Sequence, residues 1–138
     1  MTSTPVIEGL FSEEGGVAKL LGSRCATCAT PYFPSSGRCH NPDCDNSDMG
    51  EAGFGPAGTL WSYSVQNYPP PPPARYDEPY VPYALGVVDL DDGLRVVGRM
   101  LVDDVANLRA GQRVELVIAP LYHEEDGSEA LSWMFQPK

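Results

Sequence analysis

From position 59 onward the chain is a series of short apolar runs broken by polar turns. Five of them stand out: "TLWSYSVQNY" (59–68), "YALGVVDL" (83–90), "LRVVGRMLV" (94–102), "RVELVIAPLY" (113–122) and "ALSWMFQP" (130–137). Their β-branched and aromatic content predicts strands. In the first run either Leu60 or Trp61 can take the inward phase. Asp91-Asp92-Gly93 is a hairpin turn signal, and "HEEDGSE" (123–129), with Gly127, predicts a second hairpin. Between them "DDVANLRAG" (103–111) has room for one or two helical turns, with Gly111 as the stop. Five strands with a short helical link between the third and fourth fit a barrel of the oligonucleotide/oligosaccharide-binding (OB) type. An SH3-like barrel or a small sandwich would accept the same count.

The N-terminal pattern differs. "FSEEGGVAKLLG" (11–22) predicts a short helix with Ser12 as N-cap and Glu13 and Glu14 at the positive end of its dipole, weakened by Gly15 and Gly16. Lys19 to Arg24 reads as extended. "DNSDMGEAGFGPAG" (45–58) reads as a polar, Gly-rich connection, and the composition changes near Glu51. This divides the chain into residues 1–50 and a β-rich unit, 51–138. The β pattern is itself interrupted by "YPPPPPARYDEPYVPY", a proline-rich loop over 68–83. Its five consecutive prolines lack N–H donors and favour a polyproline II rod, roughly 15 Å long at about 3.1 Å per residue.

Charge narrows the possible partners. The 138 residues carry a formal net charge of −10, from 19 acidic and 9 basic side chains. Affinity for nucleic acid rests on Lys and Arg displacing counterions from phosphates, so this balance opposes a DNA or RNA partner. There is no apolar run of membrane-spanning length, and "MTSTPVIEGLFSEEGG" lacks the basic and apolar regions of a secretory signal. A cytoplasmic location is therefore expected, where structural disulfides are rare.

That bears on the four cysteines, all within "CATCATPYFPSSGRCHNPDC" (25–44). Cys25 and Cys28 form a C-x2-C pair, and Cys39 and Cys44 a wider C-x4-C pair that turns through Asn41-Pro42. Two such corners supply the four-sulfur shell preferred by structural Zn²⁺. Iron would accept the same shell, disulfides would suit an exported protein, and a redox role for the C-x-x-C lacks a thioredoxin-like surround. His40 is an exposed neighbour in this reading. Four thiolates leave no open coordination position, so the metal organises backbone and does not activate water.

Taken in order, "RCATC", "YFP", "GTLWSYSV", "PYALGVVDLDDGLRVVGRM" and "LRAGQRVEL" resemble a family of small zinc-ribbon/OB-fold proteins that accompany thiolase-like enzymes acting on acyl-coenzyme A. The small subunits of benzoylsuccinyl-CoA thiolase and of steroid side-chain retro-aldolases are similar. The resemblance spans roughly Glu8 to Pro137. It implies a mostly β fold, a short helix and rubredoxin-like zinc ribbon followed by a five-stranded OB barrel. It also implies an accessory role beside a thiolase-fold catalytic subunit, in a two-plus-two heterotetramer that handles a coenzyme A thioester. Ala29 stands where a glycine usually follows the first cysteine pair, the second knuckle is widened, and the proline run is long.

Catalytic candidates within the chain are few. Its cysteines are committed to metal. His123, beside Glu124 and Glu125, reads as a solvated turn residue, and Asp89 to Asp92 as a hairpin tip. No phosphate-binding loop is present; "GFGPAG" has neither the lysine nor the following helix. Partner or acyl-CoA contacts are expected from the proline loop, through Tyr68, Arg75, Tyr76, Tyr80 and Tyr83, with Arg95 and Arg99 as further phosphate-reaching candidates. The leading expectation is a non-catalytic accessory subunit serving thiolysis or retro-aldol C–C cleavage. The alternatives are a single-stranded nucleic-acid-binding module, which needs a basic groove, and an electron carrier built on thiolate-bound iron.

Overall fold

The structure, a computed structural model, describes residues 3–44 and 48–138. In chain order its strands are β1 (Ser3–Pro5), β2 (Phe11–Glu14), β3 (Val17–Cys25), β4 (Pro31–Tyr32), β5 (Met49–Phe54), β6 (Ala57–Gln66), β7 (Tyr83–Leu90), β8 (Arg95–Met100), β9 (Arg113–His123) and β10 (Glu129–Pro137). One turn of 3₁₀ helix, Val105–Asn107, lies between β8 and β9.

Strands β6 to β10 close on themselves in the order β6-β7-β8-β10-β9 and back to β6. All neighbours are antiparallel except β8 and β10, which run parallel. This is the expected five-stranded barrel, with the expected helical link between its third and fourth strands. Alternation puts Ala84, Gly86, Val88 and Leu90 of β7 inside, with Leu85, Val87 and Asp89 outside. Both hairpins form where the turn signals stood. Leu90 N–H donates to Leu94 C=O at 2.8 Å across Asp91–Gly93, and Glu124 N–H to Ser128 C=O at 2.8 Å across the second turn. Gly111 does not stop the helical turn, which ends at Leu108. It sits instead at φ 92° in the turn that leads into β9.

The bulge in β6 settles the ambiguity at its centre. Leu60 pairs with Val88 and Ser62 with Val87, leaving Trp61 as the extra residue. Leu60 is fully buried, while Trp61 remains 56% exposed on the outer face beneath the Arg95 guanidinium, 4.3 Å from its ring centre. A bulge of this kind re-aims side chains without breaking the strand.

The predicted helix over residues 11–22 is a hairpin. Phe11–Glu14 pairs antiparallel with Val17–Leu20, and Gly15 and Gly16 take φ 58° and 78° in the turn. Two consecutive positive φ values define the turn that joins strands tightly, and glycine reaches them without steric cost. The glycines that weakened the helix signal were the hairpin signal. A second correction concerns the segment read as a polar connection. Asp45–Ser47 lie outside the described residues, but Met49–Phe54 is a strand paired along β3 from Leu20 to Cys25. Phe54 at its end is fully buried.

These N-terminal strands do not form an independent body. Ala18, Leu20 and Phe54 belong to the same buried cluster as Leu60, Val88, Val114, Leu116 and Phe135 of the barrel. Phe33 packs edge-to-face on Trp133, ring centres 5.3 Å apart. Arg24 reaches across with one guanidinium nitrogen on Asp92 C=O at 2.8 Å and another on Ala29 C=O at 2.7 Å. β1 adds itself in parallel to β10.

Candidate functional site

The cysteine centre is built from two turns and a strand end. Cys25 closes β3, where its N–H donates to Thr30 C=O at 3.0 Å while its own C=O accepts from Ala29 N–H at 2.9 Å. That turn brings Cys28 back beside Cys25. Short β4 returns the chain along Ser23 and Arg24. In the wider second knuckle the Asn41 side chain accepts from Asp43 N–H at 3.0 Å, and Asn41 C=O from Cys44 N–H at 3.0 Å.

All four sulfurs then lie within 4.8 Å of one another. Cys25 and Cys44 are 3.7 Å apart, and Cys28 and Cys39 3.5 Å. A tetrahedron with Zn–S bonds of about 2.3 Å has edges of about 3.8 Å, so the donor set fits four-thiolate zinc. The same separations are far beyond the ~2.05 Å of a disulfide, and none of the four cysteines is disulfide-bonded among the described residues. The described residues therefore position four cysteines for zinc binding.

The surroundings of Cys28 favour its thiolate. The Thr30 hydroxyl, 3.0 Å from the Cys28 sulfur, together with the Thr30 backbone, lowers Cys28 from 9.0 to about 6. Tyr32 donates its hydroxyl to Cys39 at 3.4 Å and accepts His40 N–H at 2.7 Å. That bond to Cys39 raises Tyr32 above its ordinary value. His40 is exposed and stacks edge-on to Tyr32, with its Nε2 3.1 Å from Ser36 Oγ, so it is a neighbour of the centre. Ala29 occupies φ 63°, the left-handed region that favours glycine. Thr30 and Tyr32 were not singled out from the sequence, because hydrogen bonds to sulfur carry no periodic signal, whereas Asn41 was read there as part of the turn that it does form.

The proline loop folds back on the barrel. Ala74 N–H donates to Pro71 C=O at 3.2 Å, so the proline run bends through a turn and is no straight rod. Beyond it, Arg75 pairs with Glu124 at 2.6 Å and lies 4.4 Å from the Tyr122 ring centre. Asp77 accepts from both His123 N–H and His123 Nδ1, each at 2.6 Å. His123 is thus a tie between loop and hairpin, where a solvated turn was expected. Its Nε2 faces Glu129 at 3.6 Å, so the dyad meets a second acid where a hydroxyl nucleophile would have to sit.

The five loop candidates separate. Tyr68 is 85% exposed. Tyr76, Tyr80 and Tyr83 form a half-buried edge-to-face row, with 5.4 Å and 6.2 Å between successive ring centres. Tyr80 donates to Gln66 C=O at 2.7 Å. Arg75 is neutralised by Glu124. Among the other cations, Arg95 is held by Asp89 at 2.6 Å and Arg113 by Asp91 at 2.6 Å. Asp92 accepts from Gly55 N–H at 3.1 Å, so each acid of the 89–92 hairpin tip has a partner within the protein. No helix among the described residues is long and apolar enough to cross a membrane.

Comparison with known proteins agrees with this geometry. Residues 14–50 match the family described as ChsH2, rubredoxin-like zinc ribbon domain, and residues 54–119 match ChsH2, C-terminal OB-fold domain. A DUF35 domain-containing scaffold protein of Methanothermobacter thermautotrophicus is 33% identical over 121 residues, covering 86% of each chain. Its namesake in Methanocaldococcus jannaschii is 28% identical, covering 86% of this chain and 81% of its own. A probable enoyl-CoA hydratase alpha subunit of Thermomonospora curvata is 30% identical over 83 residues, 60% of this chain but 24% of that longer protein. Among solved structures, a chain of the Ltp2-ChsH2(DUF35) aldolase superposes with a TM-score of 0.64 at 25% identity, covering 86% of this chain and 84% of that one. The chain belongs to the DUF35 family, with a ChsH2-type zinc ribbon and OB-fold domain in succession.

Proposed function

We propose that this protein is a non-catalytic accessory subunit of a thiolase-like enzyme, with one structural Zn²⁺ held by Cys25, Cys28, Cys39 and Cys44. The observation that carries the reading is the likeness along 86% of the chain to a chain of the Ltp2-ChsH2(DUF35) aldolase. The archaeal relatives described as scaffold proteins support it from sequence. A four-thiolate shell leaves the metal no open position for substrate, which supports a structural role. Cys28, already poised toward thiolate, would help load the ion. The partner would supply the nucleophile and bases for C–C cleavage of an acyl-coenzyme A. The two chains would assemble two plus two, and the loop bearing Tyr68, Arg75, Tyr76, Tyr80 and Tyr83 would lie near the acyl-CoA entrance.

The nucleic-acid alternative has weaker support. In OB barrels such ligands lie across the second and third strands, between the loops joining strands one to two and four to five. Here those loops, 67–82 and 124–128, are clasped by the Arg75–Glu124 pair, and the net charge is −10. Co-purification tests the accessory reading. The tagged chain is expected to recover a thiolase-fold protein whose activity on acyl-CoA falls when this subunit is stripped away. Turnover of an acyl-CoA by the isolated 138-residue chain would overturn it.

A further inference from the structure

The sheet of the ribbon, unlike the barrel, does not close. β3 is its centre, flanked by β2 and β4 along one side and by β5 along the other. Successive residues of an antiparallel strand point their N–H and C=O groups to opposite sides. Leu21 N–H donates to Leu10 C=O and Cys25 N–H to Thr30 C=O, whereas Ala26 N–H donates to Asp48 C=O. Odd-numbered residues of β3 therefore bond towards β2 and β4, and even-numbered ones towards β5. The register sets Gly50, Ala52 and Phe54 opposite Arg24, Gly22 and Leu20, so these three bond β3. Met49, Glu51 and Gly53 turn their N–H and C=O groups the other way, where no strand lies among the described residues.

An open strand edge is a template for another chain, and proteins blunt it with short strands, proline or charge. The other sheet-edge strands follow that rule. β1 has three residues and ends on Pro5, β4 has two, and β2 has four, two of them glutamates. β5 runs for six residues with a single charge, and its Gly50, Glu51 and Gly53 are exposed. The Glu51 carboxylate forms no hydrogen bond or ion pair among the described residues. Leu20 and Phe54 face the barrel core, so by alternation Leu21 and Gly53 lie on the opposite face of the sheet. There a hollow of about 380 Å³ is bounded by Gly9, Leu21, Ser35, Glu51 and Gly53. A Cβ at Gly53 would meet only the Lys19 side chain, at 3.7 Å, so the face beside the edge stands open.

From this edge we infer that β5 is a docking strand, to which a strand of the catalytic partner adds through the N–H and C=O groups of Glu51 and Gly53. The inference rests on the accessory reading and names the surface through which that partner is held. Strand addition takes its affinity from the backbone and its specificity from alternate side chains. Here those are a basic residue opposite Glu51 and, two positions away, a large apolar residue opposite Gly53. The first supplies the missing counter-charge, and the second covers the exposed glycine and reaches the hollow. A second copy of this chain fits poorly. Two β5 strands joined antiparallel share their open edges only by pairing odd-numbered residues. Every register that overlaps most of the strand then sets the two Glu51 carboxylates directly opposite or on the neighbouring diagonal, where like charges repel. Each copy would also bring a net charge of −10.

The test uses the full chain and the catalytic partner recovered with it. Gly53→Pro removes one outward N–H and sets a ring in the path of the incoming strand, leaving the bonds to β3 in place. It is expected to weaken the complex by on the order of tenfold to a hundredfold, with zinc content unchanged. Glu51→Lys is expected to weaken it by about threefold to tenfold. Glu13→Lys, the same charge change on the β2 edge, is expected to leave affinity within about twofold, because exposed charges away from the contact are screened. Amide exchange reads the wild-type chain and does not depend on any variant folding. The Glu51 and Gly53 amides should exchange quickly in the free chain and about tenfold or more slowly in the complex, while Ala52 and Phe54 stay slow throughout. If the wild-type chain recovers its partner and those two amides remain fast in the complex, the docking strand is wrong while the accessory role stands. Wild-type affinity in both Gly53→Pro and Glu51→Lys would have the same meaning. Protection that grows with the concentration of the chain alone would make a second copy the occupant and overturn the inference. If the wild-type chain recovers no catalytic partner, both readings fall together.

Discussion

At the scale of single residues, two positions show how backbone and packing constraints enter. Ala29 holds φ 63° to let the first knuckle close. Left-handed backbone costs an L-residue with a Cβ about 1–2 kcal/mol, partly offset by the greater unfolded-state freedom of glycine. Ala29→Gly is therefore expected to stabilise the protein by about 0.5–1 kcal/mol, read by denaturant unfolding at fixed zinc. A loss of stability would mean that the alanine methyl makes a contact worth more than the strain. Gly98 is the opposite case. A Cβ there would sit 2.6 Å from the Phe135 ring, and its cross-strand neighbour Gly86 is crowded by Met100. Gly98→Ala should destabilise by about 1–3 kcal/mol, the usual range for overpacking a filled core. The sequence showed a glycine in a strand, but only the barrel's curvature says which side chain fills its place.

Elements were legible where the pattern was local. All five barrel strands and both hairpin turns stand where the alternation and turn residues put them. The N-terminal hairpin was missed because Ser12, Glu13 and Glu14 satisfied helix-start rules that a Gly-Gly turn overrode. β5 was missed because its pairing partner, β3, lies far off in sequence and its residues are mostly Gly, Ala and Glu. The proline loop, too, owes its fixed position to a distant element. His123 is raised above 6.5, first by its bond to Asp77 and then by the Asp77 charge, with Glu129 adding to it; burial opposes the shift. Asp77 is lowered below 3.8, first by the same bond, with Arg99 contributing least. Histidine's contribution is complete below 6.5 and lost as pH rises through its raised value. Aspartate's is present above 3.8 and lost as pH falls. The tie should be tightest between those limits and loosen in mild alkali. Amide exchange at His123 should be slower at pH 6 than at pH 8.5 after correction for intrinsic rate, and Asp77→Asn should abolish the difference.

For the molecule as a whole, the ribbon and barrel share one core. Leu20 and Phe54 reach it from the ribbon side, and Arg24 joins the cysteine knuckle to the β7–β8 turn. Structural zinc contributes on the order of 10–16 kcal/mol in model peptides, so its removal should unfold the knuckles. Because β3 and β5 carry core residues, chelation should also lower the barrel's melting temperature, followed by near-ultraviolet circular dichroism of Trp133 and Trp61. A barrel that melts at the same temperature without metal would show that the two parts are energetically separate.

The sequence by itself determined what depends on neighbours in the chain. The cysteine spacing encoded a four-sulfur clip, the alternation encoded five strands, and the charge balance disfavoured a polyanion. Tertiary structure decided what depends on residues brought together from afar. It set which of Leu60 and Trp61 is buried, the pairing of β3 with β5, and the tie between Asp77 and His123. It also laid the Arg99 guanidinium over the Tyr83 ring. The physical reason is range: dihedral preferences and hydrophobic period act over a few residues, whereas desolvation and charge pairing depend on the whole surface that folding encloses.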